Sequence, residues 1–286
     1  MSLWLLLAVN SVTLGGLLFL LAAGFSLIFG LMRIPNLTHG SFFMLGAYFA
    51  VSLIRLGLDF WTAALLAGIG VAVFGGLVER LILRRLAGAE LAQVLVTLGL
   101  SFMIADVCLM VWTGDPIQVE TPPLLRGGIS VAGLTFPTYR LAISVIAVIF
   151  AAALWALLDR TRLGAMIRAG VDDPAMARVA GIRVSRLFTI VFCLGAWLAG
   201  FAGVIGGPIL SVYPGLDQEM LPLALVVVIL GGSGSLLGSL VGSFIVGFLY
   251  NFGQAMFPEL AYVVLFLPML VVLVVRPQGL FGRPAV

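Results

Sequence analysis

The chain has 286 residues, of which 62% are hydrophobic and only 9% are charged, and its mean hydropathy is +1.24. Soluble domains contain about 25% charged residues, so this composition excludes an ordinary soluble protein and predicts an all-α polytopic membrane protein with a single transmembrane domain over residues 1–286. The net charge of +3 is concentrated in a few loops, so it indicates how the chain is oriented in the lipid bilayer and does not indicate nucleic-acid binding.

All fifteen basic residues are arginine, and the sequence contains no lysine. A P-loop requires the pattern GxxxxGK[ST], so the chain cannot hold that nucleotide site itself, and Schiff-base chemistry at a lysine is excluded too. One histidine and two cysteines are too few for the usual zinc clusters. We therefore expect a chain that is not an enzyme and that has no catalytic residue, metal site or bound cofactor of its own.

Apolar runs predict the spans of the first half, since about 20 helical residues cross a bilayer core. They cover residues 10–31, 42–53, 60–77, 91–112 and 141–158. The loop at 79–90 carries Arg80, Arg84 and Arg85, and we expect it in the cytoplasm because short basic loops remain there. The long polar segment 113–139 is expected outside.

In the second half, the predicted spans cover residues 187–205, 221–243 and 261–275, and the first of them has small residues suited to close helix packing. Glycine and serine at 231–235 interrupt the second span. The 12 residues before this break would cover only about 18 Å, so either the helix begins earlier, near Leu216, or the segment is re-entrant. The acidic segment 211–219 is expected outside. The chain then has eight or nine spans, some broken or re-entrant, with the N-terminus outside and the C-terminus in the cytoplasm.

The longest polar interruption, residues 159–186, holds six of the fifteen arginines and is expected in the cytoplasm. It contains the pattern of a short helix: Asp173 as N-cap, Pro174 at the first helical position and Gly181 in the left-handed position after the end. So short a helix is not stable alone, and it needs a surface, either this chain's own helices or a partner protein. The candidate docking residues are Asp173, Pro174, Ala175, Ala177, Arg178 and Gly181.

Two glycine- and serine-containing breaks within apolar sequence are candidates for a translocation path, because irregular backbone at membrane depth is tolerated only against protein or a water-filled cavity. Ordinary structural turns are the alternative. Asp106 is the only ionisable residue well inside a predicted span, and such carboxylates usually face a cavity or a partner. His39 is expected to form structural hydrogen bonds and not to carry protons. The candidate path residues are Asn36, Thr38, His39, Gly40, Ser41, Asp106, Gly231, Gly232, Ser233, Gly234 and Ser235.

Five segments form an ordered pattern along nearly the whole chain. Residues 33–40 match a stretch ending in Asn-Phe-Ala-His-Gly, with Leu37 and Thr38 in place of Phe-Ala, and Met44–Tyr48 follows it. Residues 168–182 keep part of the EAA signature of ABC permeases, although Ala175 stands where a glutamate would begin it. Residues 230–235 and 276–284 complete the set. Together they resemble the LivH-like permeases of bacterial ABC importers for branched-chain amino acids.

The resemblance implies a permease subunit of the bacterial inner membrane that forms the translocation path and couples to ATPases through the loop at 159–186. The partners it implies are a LivM-like second permease, two cytoplasmic ATPase subunits that use ATP, and an external substrate-binding protein. Relatives transport branched-chain amino acids, other neutral amino acids, amides or urea, and the sequence does not choose among these. A permease of the related sugar importers is an alternative. An ion-coupled carrier or a channel is a further one, which the scarcity of intramembrane charge disfavours.

Overall fold

The computed structural model describes residues 2–32, 36–131 and 134–282. These residues form eleven α-helices and one short antiparallel hairpin of β1 (Gly128–Val131) and β2 (Leu134–Pro137). The helices are α1 (Ser2–Met32), α2 (Thr38–Arg55), α3 (Phe60–Leu81), α4 (Glu90–Trp112), α5 (Thr138–Arg160), α6 (Arg162–Asp172), α7 (Pro174–Val179), α8 (Val184–Leu210), α9 (Leu216–Gly231), α10 (Leu236–Met256) and α11 (Ala261–Val275).

Within the described residues, seven helices are long and apolar enough to cross a membrane: α1, α3, α4, α5, α8, α10 and α11. The two shorter apolar helices, α2 and α9, have 18 and 16 residues and lie largely buried among the others. The predicted all-α polytopic class is therefore confirmed. The last predicted span, 261–275, has the bounds of α11. For the span interrupted at 231–235, one alternative was a helix that begins near Leu216, and α9 begins at that residue.

The interior is built on close approaches between helix backbones. Where α2 crosses α8, a Cβ on Gly46 would lie 2.3 Å from the carbonyl oxygen of Gly200, and one on Gly203 would lie 1.8 Å from that of Phe43. A Cβ on Gly24 of α1 would similarly meet Gly195 of α8 at 2.6 Å. Small residues allow membrane helices to pack at such distances, since dispersion contacts and not a hydrophobic force hold them together.

Two segments contain more regular structure than the sequence indicated. The predicted outer segment 113–139 folds partly into the β1–β2 hairpin. The polar interruption at 159–186 contains α6 besides the predicted short helix. The side chain of Thr161 caps α6 by accepting a hydrogen bond from the Gly164 N–H at 3.2 Å, and the helix buries Ile167 against the bundle.

The short helix α7 is built as the sequence predicts. The Asp173 carboxylate accepts hydrogen bonds from the N–H groups of Ala175 and Met176, both at 2.9 Å. Pro174 begins the helix, and Gly181 follows its end with a φ of +83°. Asp173 thus pairs two of the N–H groups that a helix start leaves open, and glycine accepts a left-handed backbone that a side chain would strain.

Both basic loops and the C-terminal tail lie on one side of the molecule. Helix α1 is antiparallel to α8, because Gly24 packs on Gly195 and Leu17 lies near Gly206. The end of α1 is therefore beside the start of α8, which begins at Val184 within the 159–186 loop. Arg84, in the basic loop after α3, donates to the Ser185 carbonyl oxygen of α8. The tail packs at the same end. We call this the basic side.

Candidate functional site

The first turns of α2 and α9 meet in the interior against the middle of α4. The hydroxyls of Ser41 and Ser101 donate to the same oxygen of Asp217, Oδ2, at 2.9 and 3.2 Å, and the two hydroxyl oxygens are 2.7 Å apart. All three side chains are buried, and Asp217 is only 2% exposed. We call these three residues the polar junction. It joins three helices that are distant in sequence.

A second set of hydrogen bonds fixes the start of α2 on α4. The Thr38 hydroxyl donates to the carbonyl oxygen of Thr97 at 2.9 Å, and the Leu37 N–H donates to the Thr97 hydroxyl at 3.3 Å. The side chain of Asn36 accepts from the Thr38 N–H at 3.2 Å, and one ring nitrogen of His39, Nε2, lies 3.0 Å from the Leu21 carbonyl oxygen of α1. The structural role expected for His39 agrees with this contact.

The first predicted break is therefore shorter than the sequence suggested. Residues 38–41 are not a loop but the buried first turn of α2, and only Asn36 and Leu37 precede the helix in the described part. The predicted residues Arg33, Ile34 and Pro35 lie outside the described residues. Gly40 faces the start of α9, since a Cβ there would lie 2.8 Å from the Asp217 carbonyl oxygen. The break thus places a helix start, and not a hairpin, against α4 and α9.

The second predicted break lies elsewhere. Gly232 and Gly234 have φ of +100° and +76°, and the Gly234 N–H donates to the Ser26 hydroxyl of α1 at 3.1 Å. The chain after α11 folds back onto this turn through a hydrogen bond from the Leu280 N–H to the Leu230 carbonyl oxygen at 2.9 Å. Asp217 and Gly231 are at opposite ends of α9, about 21 Å apart along a helix. Both breaks contact α1, His39 at Leu21 and Gly234 at Ser26, but no hydrogen bond among the described residues joins one break to the other.

Asp106 is on neither break. It lies on the exposed face of α4, whereas Ser101 and the other buried residues of α4 face the bundle. Its neighbours on that face, Phe102 and Met110, are exposed too. Asp106 was singled out as the only ionisable residue well inside a predicted span, but a second acid, Asp217, is buried at the start of α9, outside those predicted spans. Sequence reasoning missed Asp217 by assigning 211–219 wholly to an outer segment.

A buried ion pair fastens the basic side of the bundle. Glu79, 1% exposed, accepts hydrogen bonds from the Arg84 guanidinium at 3.0 Å and from the Thr189 hydroxyl at 2.8 Å. The same guanidinium donates to the Ser185 carbonyl oxygen at 3.2 Å. Gln93 of α4 continues the contact by donating to the Leu86 carbonyl oxygen at 2.8 Å. The ends of α3 and the starts of α4 and α8 are thus held as one unit.

Helix α7 extends from this unit with apolar side chains exposed. Met176 is 63% and Val179 83% exposed, and the predicted docking residues Asp173, Ala175, Arg178 and Gly181 are exposed as well. Ala177 differs, since it is only 4% exposed and faces its own chain. The selection of Ala177 as a candidate docking residue therefore does not agree with its burial. An outward surface exists, but Met176 and Val179 form its apolar part.

These features together define a multi-pass membrane protein with a polar interior junction and a capped helix exposed on its basic side. Comparison with known families makes the class specific. The chain belongs to the family described as branched-chain amino acid transport system / permease component, whose pattern matches residues 7–273.

Individual relatives agree with this assignment. The chain is 29% identical to the high-affinity branched-chain amino acid transport system permease protein BraD of Pseudomonas aeruginosa, over 97% of this chain and 95% of that protein. It is 28% identical to LivH of Escherichia coli, a permease protein of the same description, with the same coverage. The ribose import permease protein RbsC of Escherichia coli is 28% identical over a smaller share, 76% of this chain and 68% of that protein. No solved structure matches the chain.

Proposed function

We propose that this chain is a permease subunit of an ATP-driven ABC importer for branched-chain amino acids in the bacterial inner membrane. The observation that carries the proposal is α7, a capped six-residue helix with exposed apolar side chains on the basic side of a protein that is otherwise built of apolar helices. So short a helix gains stability from a partner surface. The full-length similarity to BraD and LivH supports the same function.

In this proposal, α7 docks on one of two cytoplasmic ATPase subunits that use ATP, and this chain binds no nucleotide. Three residues separate Ala180 from Val184, where α8 begins, and the Ile182 N–H donates to the Ala177 carbonyl oxygen at 3.0 Å. A displacement of α7 therefore moves the start of α8. The Glu79–Arg84–Thr189 contacts pass that movement to α3 and, through Gln93, to α4, which carries Ser101 of the polar junction.

The exposed face of α4 supports a second, LivM-like permease as a further partner. Asp106 lies on this face among apolar side chains, six residues before the helix end at Trp112. A carboxylate facing hydrocarbon is costly, so Asp106 requires either water or a polar group from another protein. A second permease beside α4 supplies the polar group, and a water-filled path between the two permeases supplies the water. An external substrate-binding protein completes the proposed assembly.

Omission of the ATPase tests the proposed energy source. Proteoliposomes containing the permease pair and both ATPase subunits, with binding protein and ATP added, are expected to accumulate L-leucine. Vesicles without the ATPase are expected to accumulate none, since the chain lacks a P-loop lysine. Leucine accumulation driven by a proton or sodium gradient alone would contradict the proposal. D-ribose in place of L-leucine tests the sugar alternative that the similarity to RbsC raises.

The proposed orientation places the basic side in the cytoplasm and the N-terminus outside. It is tested with a variant in which Cys108 and Cys193 are replaced, and single cysteines are introduced at exposed positions. Ala87→Cys and Ala165→Cys, on the basic side, are expected to resist a membrane-impermeant maleimide in intact cells and to react after lysis. Leu124→Cys, in the opposite loop, is expected to react in intact cells. The reverse pattern would invert the topology.

A further inference from the structure

Only one of the two carboxylate oxygens of Asp217 accepts hydrogen bonds. Oδ2 accepts both serine hydroxyls of the polar junction, whereas Oδ1 is buried and has no hydrogen-bond partner among the described residues. No described arginine forms an ion pair with Asp217. A carboxylate oxygen has two lone pairs, and leaving it buried without a donor costs free energy. Oδ1 is therefore an open acceptor position in the interior.

Two helix starts surround the carboxylate of Asp217. The residue lies in the first turn of α9, where the open N–H groups give the helix a partial positive charge. The start of α2 also points at the junction, since Ser41 lies in its first turn. Two helix N-termini and two hydroxyl donors thus face this carboxylate, and both hydroxyls reach Oδ2 and leave Oδ1 open. The donor that Oδ1 lacks is best supplied by a cation.

A second buried polar atom without a hydrogen-bond partner lies just before the start of α2. Five residues before Ser41, the side chain of Asn36 uses its oxygen to cap α2, while its Nδ2 is buried without an acceptor. An amide N–H₂ beside a helix N-terminus is a donor site of the kind that carboxylates occupy. The interior therefore offers an open acceptor on Asp217 and an open donor on Asn36.

We propose that the polar junction is a binding site for the zwitterionic head group of an α-amino acid during translocation. The substrate's ammonium group donates to Oδ1 of Asp217, and its carboxylate accepts from Nδ2 of Asn36 at the start of α2. The inference rests on the proposed function and adds the residues that recognise the substrate. The junction is closed in this structure, because Gly40 packs directly on the Asp217 backbone. Substrate enters when α9 separates from α2 and α4.

The test compares two substrates that differ at one group: L-leucine and L-2-hydroxy-4-methylpentanoate, which has a hydroxyl in place of the ammonium group. Uptake is measured in proteoliposomes, per assembled complex, at concentrations that saturate the binding protein with each compound. Asp217→Asn is nearly isosteric and removes the charge. We expect it to lower leucine uptake about 30-fold, the effect of losing one buried charged partner, while uptake of the hydroxy acid falls much less.

Ser101→Ala is the matched variant, because it removes a hydroxyl from the junction and leaves the Asp217 charge. It is expected to lower uptake of both compounds by the same factor. If Asp217→Asn also lowers both uptakes equally, the junction only fastens the helices and the site proposal is overturned. If the unmodified complex fails to transport leucine at all, the proposed function fails instead, so the two failures are distinguishable.

Asp217→Glu decides the case in which Asp217→Asn does not assemble. Glutamate keeps the charge and moves it by one methylene, so we expect slower transport that retains the preference for leucine over the hydroxy acid. An assembled Asp217→Glu complex that transports both compounds equally would overturn the proposal.

Asn36→Leu provides an independent check of the carboxylate position. The competitor of leucine uptake is isopentylamine, which lacks the carboxylate. Asn36→Leu is expected to abolish the preference of the complex for leucine over isopentylamine. An unchanged preference would exclude Asn36 from the site.

Discussion

Replacement of Gly203 by alanine is expected to destabilise the fold strongly, with a lower yield of folded protein and a lower thermal midpoint. A Cβ at this position would lie 1.8 Å from the Phe43 carbonyl oxygen and 3.2 Å from the Ala47 nitrogen, which are backbone atoms of α2. Backbone cannot move aside as the end of a side chain can, so α2 and α8 would have to separate where the core is closest. Overpacking of this kind costs about 3 kcal/mol or more, a large part of the stability of a typical domain.

The measurement is the yield of monodisperse protein after extraction in mild detergent, together with its thermal midpoint. Gly99→Ala is the matched control, because Gly99 is also in a membrane helix, has no atom within 4 Å of a built Cβ, and is expected to tolerate the methyl group. Equal yields and midpoints for Gly203→Ala and Gly99→Ala would show that α2 and α8 do not cross as closely as described.

The second large effect is expected at α7. Val179→Asp, alone and with Met176→Asp, introduces charge on the exposed apolar side chains of the helix without touching the buried Ala177. We expect substrate-stimulated ATP hydrolysis and leucine uptake to fall at least about tenfold, since a charge placed in a desolvated protein interface costs 2 kcal/mol or more. The permease itself is expected to remain folded, because both side chains are largely exposed.

The direct measurement is retention of the ATPase subunits on an affinity-tagged permease. Leu56→Asp is the control, since Leu56 is an equally exposed apolar residue in the turn between α2 and α3, on the side opposite the basic side. It is expected to leave ATPase retention unchanged. Normal ATPase retention by Val179→Asp would show that α7 is only a capped turn, and the contact would then be sought in the basic loop 79–90.

The features that the sequence predicted correctly are those that depend on interactions between neighbouring residues. The Asp173 cap, the Pro174 start and the Gly181 end of α7 follow from the conformational preferences of single residues, and the structure has all three. The bounds of α11 follow from an uninterrupted apolar run. Helix α6 has one local signal, the cap residue Thr161, but its polar composition is equally typical of a loop between membrane helices, so the sequence does not predict it.

The candidate site was predicted only in part. Thr38, His39, Gly40 and Ser41 were singled out because polar residues interrupt an apolar sequence, and they do lie in the interior at the start of α2. Their partners Thr97 and Ser101 follow Gln93 at intervals of four residues on α4, and this polar stripe at helical spacing is a signal that the sequence analysis did not use. Asp217 is 176 residues from Ser41, and no periodicity connects two helix starts so far apart.

Length, hydropathy and capping act over a few neighbouring residues, and they were enough to predict a polytopic helical membrane protein of the permease family with a short capped helix in its basic loop. The tertiary structure alone decided which polar groups share an interior site and which acid is buried, assigning Asp217 to the junction and Asp106 to the exposed face of α4. A carboxylate's environment depends on which helices pack around it, and that packing is fixed by backbone approaches at glycines on distant helices.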